Sequence, residues 1–233
     1  MKLKIFADGA NYDDIIRLSG KTYIKGLTTN PTLMRQSGIK NYVTFSKKIL
    51  KKIKKIPISL EVFADDLNEM YVQAKKINSW GKNVYVKIPI VNTKGQSTKP
   101  IIKKLLDENV KLNVTAIMKY EQILKLKSLF KKNTKMILSI FAGRIADTGV
   151  DPVNDIKRSI TLVKNFKNIE ILWASPREVL NIYQAENIGC HIITVTPVLI
   201  KKFFELKNYN LNKYSIETSK MFYDDAKKSN FKI

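Results

Sequence analysis

Cysteine and histidine are almost missing from this chain of 233 residues, which has one of each, Cys190 and His191. A single thiol excludes an internal disulfide framework and leaves no cysteine-based metal site. A single imidazole excludes a two-histidine metal site and argues against a Ser-His-Asp triad. Long apolar runs are missing as well. The longest weakly polar stretch, Gly189 to Ile200, contains His191, two threonines and Pro197. A membrane-spanning helix needs roughly 18 or more apolar residues, so no membrane partner is expected. The N-terminus reaches Asp8 without a long apolar core, which predicts no signal peptide. The expectation is a soluble, cytoplasmic protein.

Acid and arginine are scarce too. Asp and Glu number 20 against 42 basic residues, for a net charge of +22, and only Arg17, Arg35, Arg144, Arg158 and Arg177 are arginines. Such a balance suits nucleic acid, an acidic lipid surface or phosphorylated substrates. The densest basic stretch, Lys47 to Ile56, spaces its isoleucines at helical intervals, so Ile49, Ile53 and Ile56 are expected on one face and lysines on the other. Elsewhere the lysines are scattered, with no aromatic-interleaved basic stripe. Solvated lysine faces are therefore favoured over nucleic-acid binding as the main function. Hydrophobic residues make up 44% and charged residues 27%, enough for a packed core.

What is present is a regular alternation. Strand-like runs occur at Lys4–Asp8, Ile24–Thr28, Ile58–Phe63, Val84–Ile88, Lys111–Thr115, Met136–Phe141, Ile169–Ala174 and His191–Val195. Helical patterns lie between them at Asn11–Leu18, Asp66–Ser79, Thr98–Glu108, Tyr120–Lys131, Asn154–Lys167 and Pro176–Glu186. Strands alternating with helices imply parallel β-α units with right-handed crossovers, and eight units match a (β/α)8 TIM barrel. A seven-strand open sheet is the alternative. No linker divides the chain, so residues 1–233 are read as one α/β barrel domain, with 208–233 as a helical tail around Ser215–Lys228.

Barrel chemistry collects at the C-terminal strand ends, and nearly every run delivers a polar group there. Lys87 stands out. If Val84, Val86 and Ile88 face the outer helices, Lys87 points into the barrel, where burial disfavours the ammonium form and favours an amine nucleophile. The plainer alternative is a lysine paired with a carboxylate. Asp8 and Glu61 are candidate proton carriers, with Thr115 placed to hold a water beside Glu61. Their alternatives are a helix cap for Asp8 and an ion pair with Lys87 for Glu61. Asn30 and Asn113 suit either substrate contact or strand-end hydrogen bonding. Arg144 and Arg177, beside Ser175 on adjacent strand ends, suit an anion site, and a surface salt bridge is the alternative for either one.

In this order the segments Ala7-Asp8, Gly26-Leu27-Thr28-Thr29-Asn30-Pro31-Thr32, Ser59-Leu60-Glu61-Val62, Val86-Lys87-Ile88-Pro89, Asn113-Val114-Thr115, Phe141-Ala142-Gly143-Arg144-Ile145 and Ala174-Ser175-Pro176-Arg177 resemble the transaldolase family, including its short fructose-6-phosphate-aldolase-like branch. The resemblance implies a Schiff base on Lys87 with a ketose phosphate, proton transfer by Asp8, and Glu61 and Thr115 acting through a water. It implies sugar contacts from Thr28, Asn30, Asn113 and Ser139, phosphate binding by Arg144, Ser175 and Arg177, and no metal or organic cofactor. Glu61 and Phe141 look like the transferase pattern; the aldolase branch typically carries Gln and Tyr there. Transaldol transfer is therefore expected, with aldolase-type release of dihydroxyacetone as the alternative. Gly9 departs from the family, which usually has a hydroxyl residue there. Trp173 departs as well, and is expected on the same side of its strand as Ser175, filling a barrel layer or narrowing the sugar pocket. Homo-oligomers are common in the short branch and are expected here.

Overall fold

The computed structural model describes residues 2–232. Eight parallel strands close into a barrel in sequence order: β1 (Lys4–Asp8), β2 (Ile24–Thr28), β3 (Ile58–Glu61), β4 (Val84–Pro89), β5 (Leu112–Ile117), β6 (Met136–Ile140), β7 (Ile169–Trp173) and β8 (Ile192–Val195). β8 pairs with β1 and closes the ring. The open seven-strand sheet is thereby excluded.

Each strand is followed by helix, and the caps explain where the helices begin. α1 (Tyr12–Ser19) starts where the Asn11 side chain accepts from the Asp14 N–H, with Asp13 and Asp14 in the first turn against the positive end of the helix dipole. α2 (Pro31–Gln36) combines an Asn30 cap with proline at its first position, a start signal that reads in the sequence only as a strand end. α3 (Tyr42–Lys52) buries Phe45, Ile49 and Leu50 along one stripe. It ends at Ile53, whose extended backbone (φ −107°, ψ 105°) takes Ile56 off the expected helical face and into the loop before β3. α4 (Leu67–Asn78) and α5 (Lys99–Asp107) follow the sequence reading closely.

The expected helix over Tyr120–Lys131 is instead α6 (Tyr120–Leu124) and a short 3-10 turn at Lys127–Leu129. α7 (Ala142–Ala146) was not signalled by any hydrophobic period, being a single turn or so. α8 (Val153–Val163) and α9 (Leu180–Asn187) complete the ring, α9 beginning later than the sequence pattern suggests.

The packing settles which way β4 faces. Val84, Val86 and Ile88 are fully buried, and α4 packs on this strand with Met70, Ala74 and Ile77. Burying each such aliphatic side chain contributes about 1.5–3 kcal/mol. The alternate positions point inward: Tyr85 packs on a cluster of Phe6, Ile137, Leu172 and Ile192 inside the barrel. Gly26 completes that layer by lacking a side chain, since a Cβ there would lie 2.4 Å from the Phe6 ring. Above this apolar floor lie the polar strand ends.

The chain divides into two compact units, residues 1–197 with the barrel and residues 198–233. α10 (Pro197–Leu206) begins at the division, and α11 (Leu211–Lys228) follows, capped by Asn210. Within the second unit, Tyr209 donates its hydroxyl to the Glu217 carboxylate at 2.7 Å. No residue of α11 is buried, and Leu211, Ile216 and Phe222 are all exposed.

Candidate active site

A cavity of about 460 Å³ opens at the C-terminal ends of the strands. Of the residues the sequence offers for catalysis or substrate binding, all but Asn113 line it: Asp8, Thr28, Asn30, Glu61, Lys87, Thr115, Ser139, Phe141, Arg144, Ser175 and Arg177. Strand register explains the convergence. Asp8 pairs with Thr28, Glu61 with Lys87, and Lys87 with Asn113, all at positions that face the barrel interior.

Lys87 is only 5% exposed. Its ammonium group donates to the Thr29 carbonyl at 2.9 Å and lies 3.1 Å from Glu61 Oε2. The ion pair weighed for Glu61 is therefore present. Removing Glu61 would leave the buried Lys87 nitrogen with the Thr29 carbonyl alone. Tyr42 fixes the strand end that carries Glu61, donating its hydroxyl to the Glu61 carbonyl at 2.9 Å. Burial and the Glu61 charge both push the Tyr42 phenol above its ordinary range, so it stays a donor.

Asp8 does not cap α1, a task that falls to Asn11. Its Oδ1 accepts from the Thr28 hydroxyl at 2.7 Å. Burial pushes its carboxyl above the usual carboxylate range; Lys87 and the Thr28 hydrogen bond oppose this, and Glu61 adds to it. The Thr28 hydroxyl also meets that of Thr194 on β8. Thr194 lines the cavity and is buried. The alternation of Ile192, Thr194 and Thr196 marks it as an inward residue in the sequence, yet no role was assigned to it there.

Asn113 lies below the cavity. It is fully buried, donates to Ser59 Oγ at 3.0 Å and accepts from the Ser139 hydroxyl at 2.6 Å. Its amide thus ties β3, β5 and β6 together beside Lys87, its register partner on β4. Thr115 is different: its buried hydroxyl has no hydrogen-bond partner and borders the cavity. A β-bulge in β5 follows it, with Ala116 in the left-handed region (φ 58°). Asn30 commits its side-chain oxygen to the Leu33 N–H, as the strand-end alternative foresaw, while still lining the cavity.

The far end of the cavity is cationic and more open. Arg144 stands over the Phe141 ring, 5.5 Å from its centroid. Arg177 grips Asp147 through two hydrogen bonds, one of them Nε to Oδ1 at 3.0 Å. The salt bridge considered for Arg177 is thus realised; its partner Asp147, just outside the cavity lining, carries no signal in the sequence. α7, which carries Arg144, and the turn that carries Arg177 meet backbone to backbone, where the Gly143 N–H donates to the Ala174 carbonyl at 3.4 Å. A Cβ on Gly143 would fall 1.6 Å from the Ser175 carbonyl oxygen, so only glycine fits. Ser175 itself adopts a positive φ of 60°.

That φ corrects the expectation for Trp173. Leu172 and Ala174 belong to the barrel interior, so Trp173 between them points outward, and the turn at Ser175 breaks the alternation that would have put both on one side. Trp173 lines a separate cavity with Ala142, Gly143, Asn181 and Gln184. It neither fills a barrel layer nor borders the cavity at the strand ends.

The lone histidine and cysteine sit at the opposite end of β8. His191 Nδ1 accepts from the Ile171 N–H at 3.1 Å, and burial lowers its basicity. Burial pushes the Cys190 thiol up to about 12, far from a nucleophile's range. Among the described residues, no group of three or more His, Cys, Asp or Glu side chains is placed to hold a metal, and no helix is long and apolar enough to cross a membrane.

Comparison with known proteins turns this geometry into a family. The sequence model described as transaldolase/fructose-6-phosphate aldolase matches residues 5–233. The chain belongs to the transaldolase/fructose-6-phosphate aldolase family. Membership makes it an enzyme of the transaldolase/aldolase type. It is 30% identical over 230 residues to a "Probable transaldolase" of Nitrosopumilus maritimus (strain SCM1), covering 98% of each chain. A "Probable transaldolase" of Thermoanaerobacter sp. (strain X514) is 31% identical over 99% of this chain and 100% of its own length. Solved structures outside the transaldolases share the barrel. Dihydrodipicolinate synthase from Rhodopseudomonas palustris aligns at a TM-score of 0.54 with 13% identity, over 83% of this chain and 69% of its own. Flavocytochrome b2 with sulfite bound aligns at 0.57 with 12% identity, over 84% and 57%. Those two likenesses concern the fold alone.

Proposed function

We propose that this enzyme is a transaldolase that moves a dihydroxyacetone unit from a ketose phosphate to an aldose phosphate through a Schiff base on Lys87. The observation that carries the reading is Lys87 itself, buried in the barrel with one carboxylate 3.1 Å away and a second, Asp8, lining the same cavity. Lys87 passes a proton to Glu61, and its free amine attacks the C2 ketone of sedoheptulose 7-phosphate or fructose 6-phosphate. The carbinolamine loses water with protons relayed between Glu61 and a water held by the Thr115 hydroxyl, leaving an iminium ion. Asp8 takes the C4 hydroxyl proton, the C3–C4 bond breaks, and its electron pair enters the iminium to give an enamine. The aldose phosphate departs, an acceptor aldose takes its place, and the same steps run in reverse.

Thr28, Asn30 and Ser139 border the reacting carbons, and Asn113 acts from beneath by fixing Ser139. Arg144, Ser175 and Arg177 receive the terminal phosphate. Phe141 has no hydroxyl to offer a water at the enamine, which supports transfer over release; the alternative is aldolase-type cleavage that frees dihydroxyacetone. The unburied apolar side chains of α11 support a homo-oligomer with residues 1–233 as one working unit.

Borohydride trapping with fructose 6-phosphate, read by intact mass and peptide mapping, tests the reading. An adduct on Lys87 that disappears in Lys87→Met is expected. A parent protein that gives no adduct with any ketose would overturn it.

A further inference from the structure

We infer that Thr194 is a positioning residue for Asp8, acting through the Thr28 hydroxyl as the outer link of a two-hydroxyl chain. The inference rests on the Schiff-base reading above. Its first support is the arithmetic of protons. A threonine hydroxyl has one hydrogen and two lone pairs. Thr28 gives its hydrogen to Asp8 Oδ1 at 2.7 Å, so in its contact with Thr194 it accepts and Thr194 donates. The chain runs Thr194 to Thr28 to the carboxylate, one way, while Asp8 is ionised.

The second support is burial. Thr194 is 4% and Thr28 3% exposed, so competition from bulk water is weak and each hydrogen bond polarises the next. The third is topology. Thr194 sits on β8, Asp8 on β1 and Thr28 on β2, so the chain crosses both strand pairs at the closure of the barrel. Threonine suits a carboxyl that must gain and lose a proton within each turnover. When Asp8 is protonated, both hydroxyls rotate and the chain reverses without any heavy atom moving. A fixed donor such as an amide cannot do that.

The charged groups facing Asp8 are Lys87 on β4 and Glu61 on β3, and Arg144 and Arg177 line the same cavity. Thr194→Val keeps the shape and removes the hydroxyl; it leaves all four charges in place. With Thr194 silent, Thr28 is a poorer donor, the ionised form of Asp8 is less favoured, and the acid limb of the pH profile moves up.

The test compares kcat and KM for fructose 6-phosphate, with a saturating aldose phosphate acceptor, across pH in the parent, Thr194→Val and Thr194→Ser, with borohydride trapping on each. Expected in Thr194→Val are a fall in kcat of roughly tenfold, an acid limb raised by about half a pH unit or more, unchanged KM and a Lys87 adduct still formed. Thr194→Ser, which retains the hydroxyl, recovers the parent limb. A Thr194→Val enzyme with the parent's pH profile would overturn the inference, and so would a serine variant as shifted as the valine one. In both cases an intact Lys87 adduct leaves the Schiff-base reading standing. No adduct in the parent removes that reading and this inference with it.

Discussion

The two ends of the cavity hold similar chemistry under opposite conditions. At the inner end, Lys87 and Glu61 form a pair with side chains 7% and 18% exposed. At the outer end, Arg177 and Asp147 pair with side chains 50% and 52% exposed. Burial makes the inner pair consequential, because water competes less for either charge there. The outer pair sits in water, which screens it, so it tunes geometry more than stability. On the proposed mechanism the inner end moves protons and the outer end receives the phosphate.

The sharpest way to break this contrast is at Lys87. Lys87→Met should abolish trapping and reduce turnover by several orders of magnitude, while Arg177→Met keeps full trapping with a non-phosphorylated ketone such as dihydroxyacetone. Equal losses in both variants would show that the two ends do not divide the work as described.

Asp8→Asn is expected next, with kcat lowered by roughly 10²–10⁴ and trapping retained. Stability should move the other way. The folded state raises the Asp8 pKa, so it binds a proton more readily than the unfolded chain, and ionising Asp8 destabilises the fold. The stabilising advantage of Asp8→Asn should thus be absent below the unfolded carboxylate pKa and grow as pH rises through the folded value. Thermal unfolding at a series of pH values reads this directly; a difference that shrinks with rising pH would contradict it.

Gly143→Ala probes the outer end without touching a charge. Its Cβ would collide with the Ser175 carbonyl, so one loop must move, costing about 1–3 kcal/mol in melting experiments. KM for phosphorylated ketoses should rise severalfold, and the values for dihydroxyacetone should hold.

The smallest effect is expected from Asp147→Asn. It weakens the hold on Arg177 at an exposed site and should change KM for fructose 6-phosphate by no more than a few fold, without a change in melting temperature above about one degree. A large drop in stability would show that the outer pair is not the solvent-weakened one described here.

The contrast also explains what could be read from the sequence. Strand parity is a local property, so Val84, Val86 and Ile88 on one side fixed Lys87 on the other, and the inner end was legible before any coordinates. Asp8, Glu61 and Thr115 are legible from their places at strand ends. The outer end lies on turns, where alternation stops. The positive φ at Ser175 reversed the expectation for Trp173, and the single turn of α7 brought Asp147 to Arg177 with no periodic signal. Asn113 failed differently: its strand position was right, but whether an inward amide meets ligand or neighbouring hydroxyls depends on cross-barrel packing that no single strand records. Ile56 was lost because nothing in the lysine-rich run marks the point where Ile53 leaves the helix.

The interlock of Gly143 with the Ser175 carbonyl bears on how sugars of different length are held. α7 and the turn after β7, which carry the two guanidinium groups, are joined backbone to backbone by the Gly143 N–H and the Ala174 carbonyl, so their span from the Lys87 amine is a property of the scaffold. On the proposed reading, fructose 6-phosphate and sedoheptulose 7-phosphate differ in reach from ketone to ester, so the sugar chain rather than the protein takes up the difference.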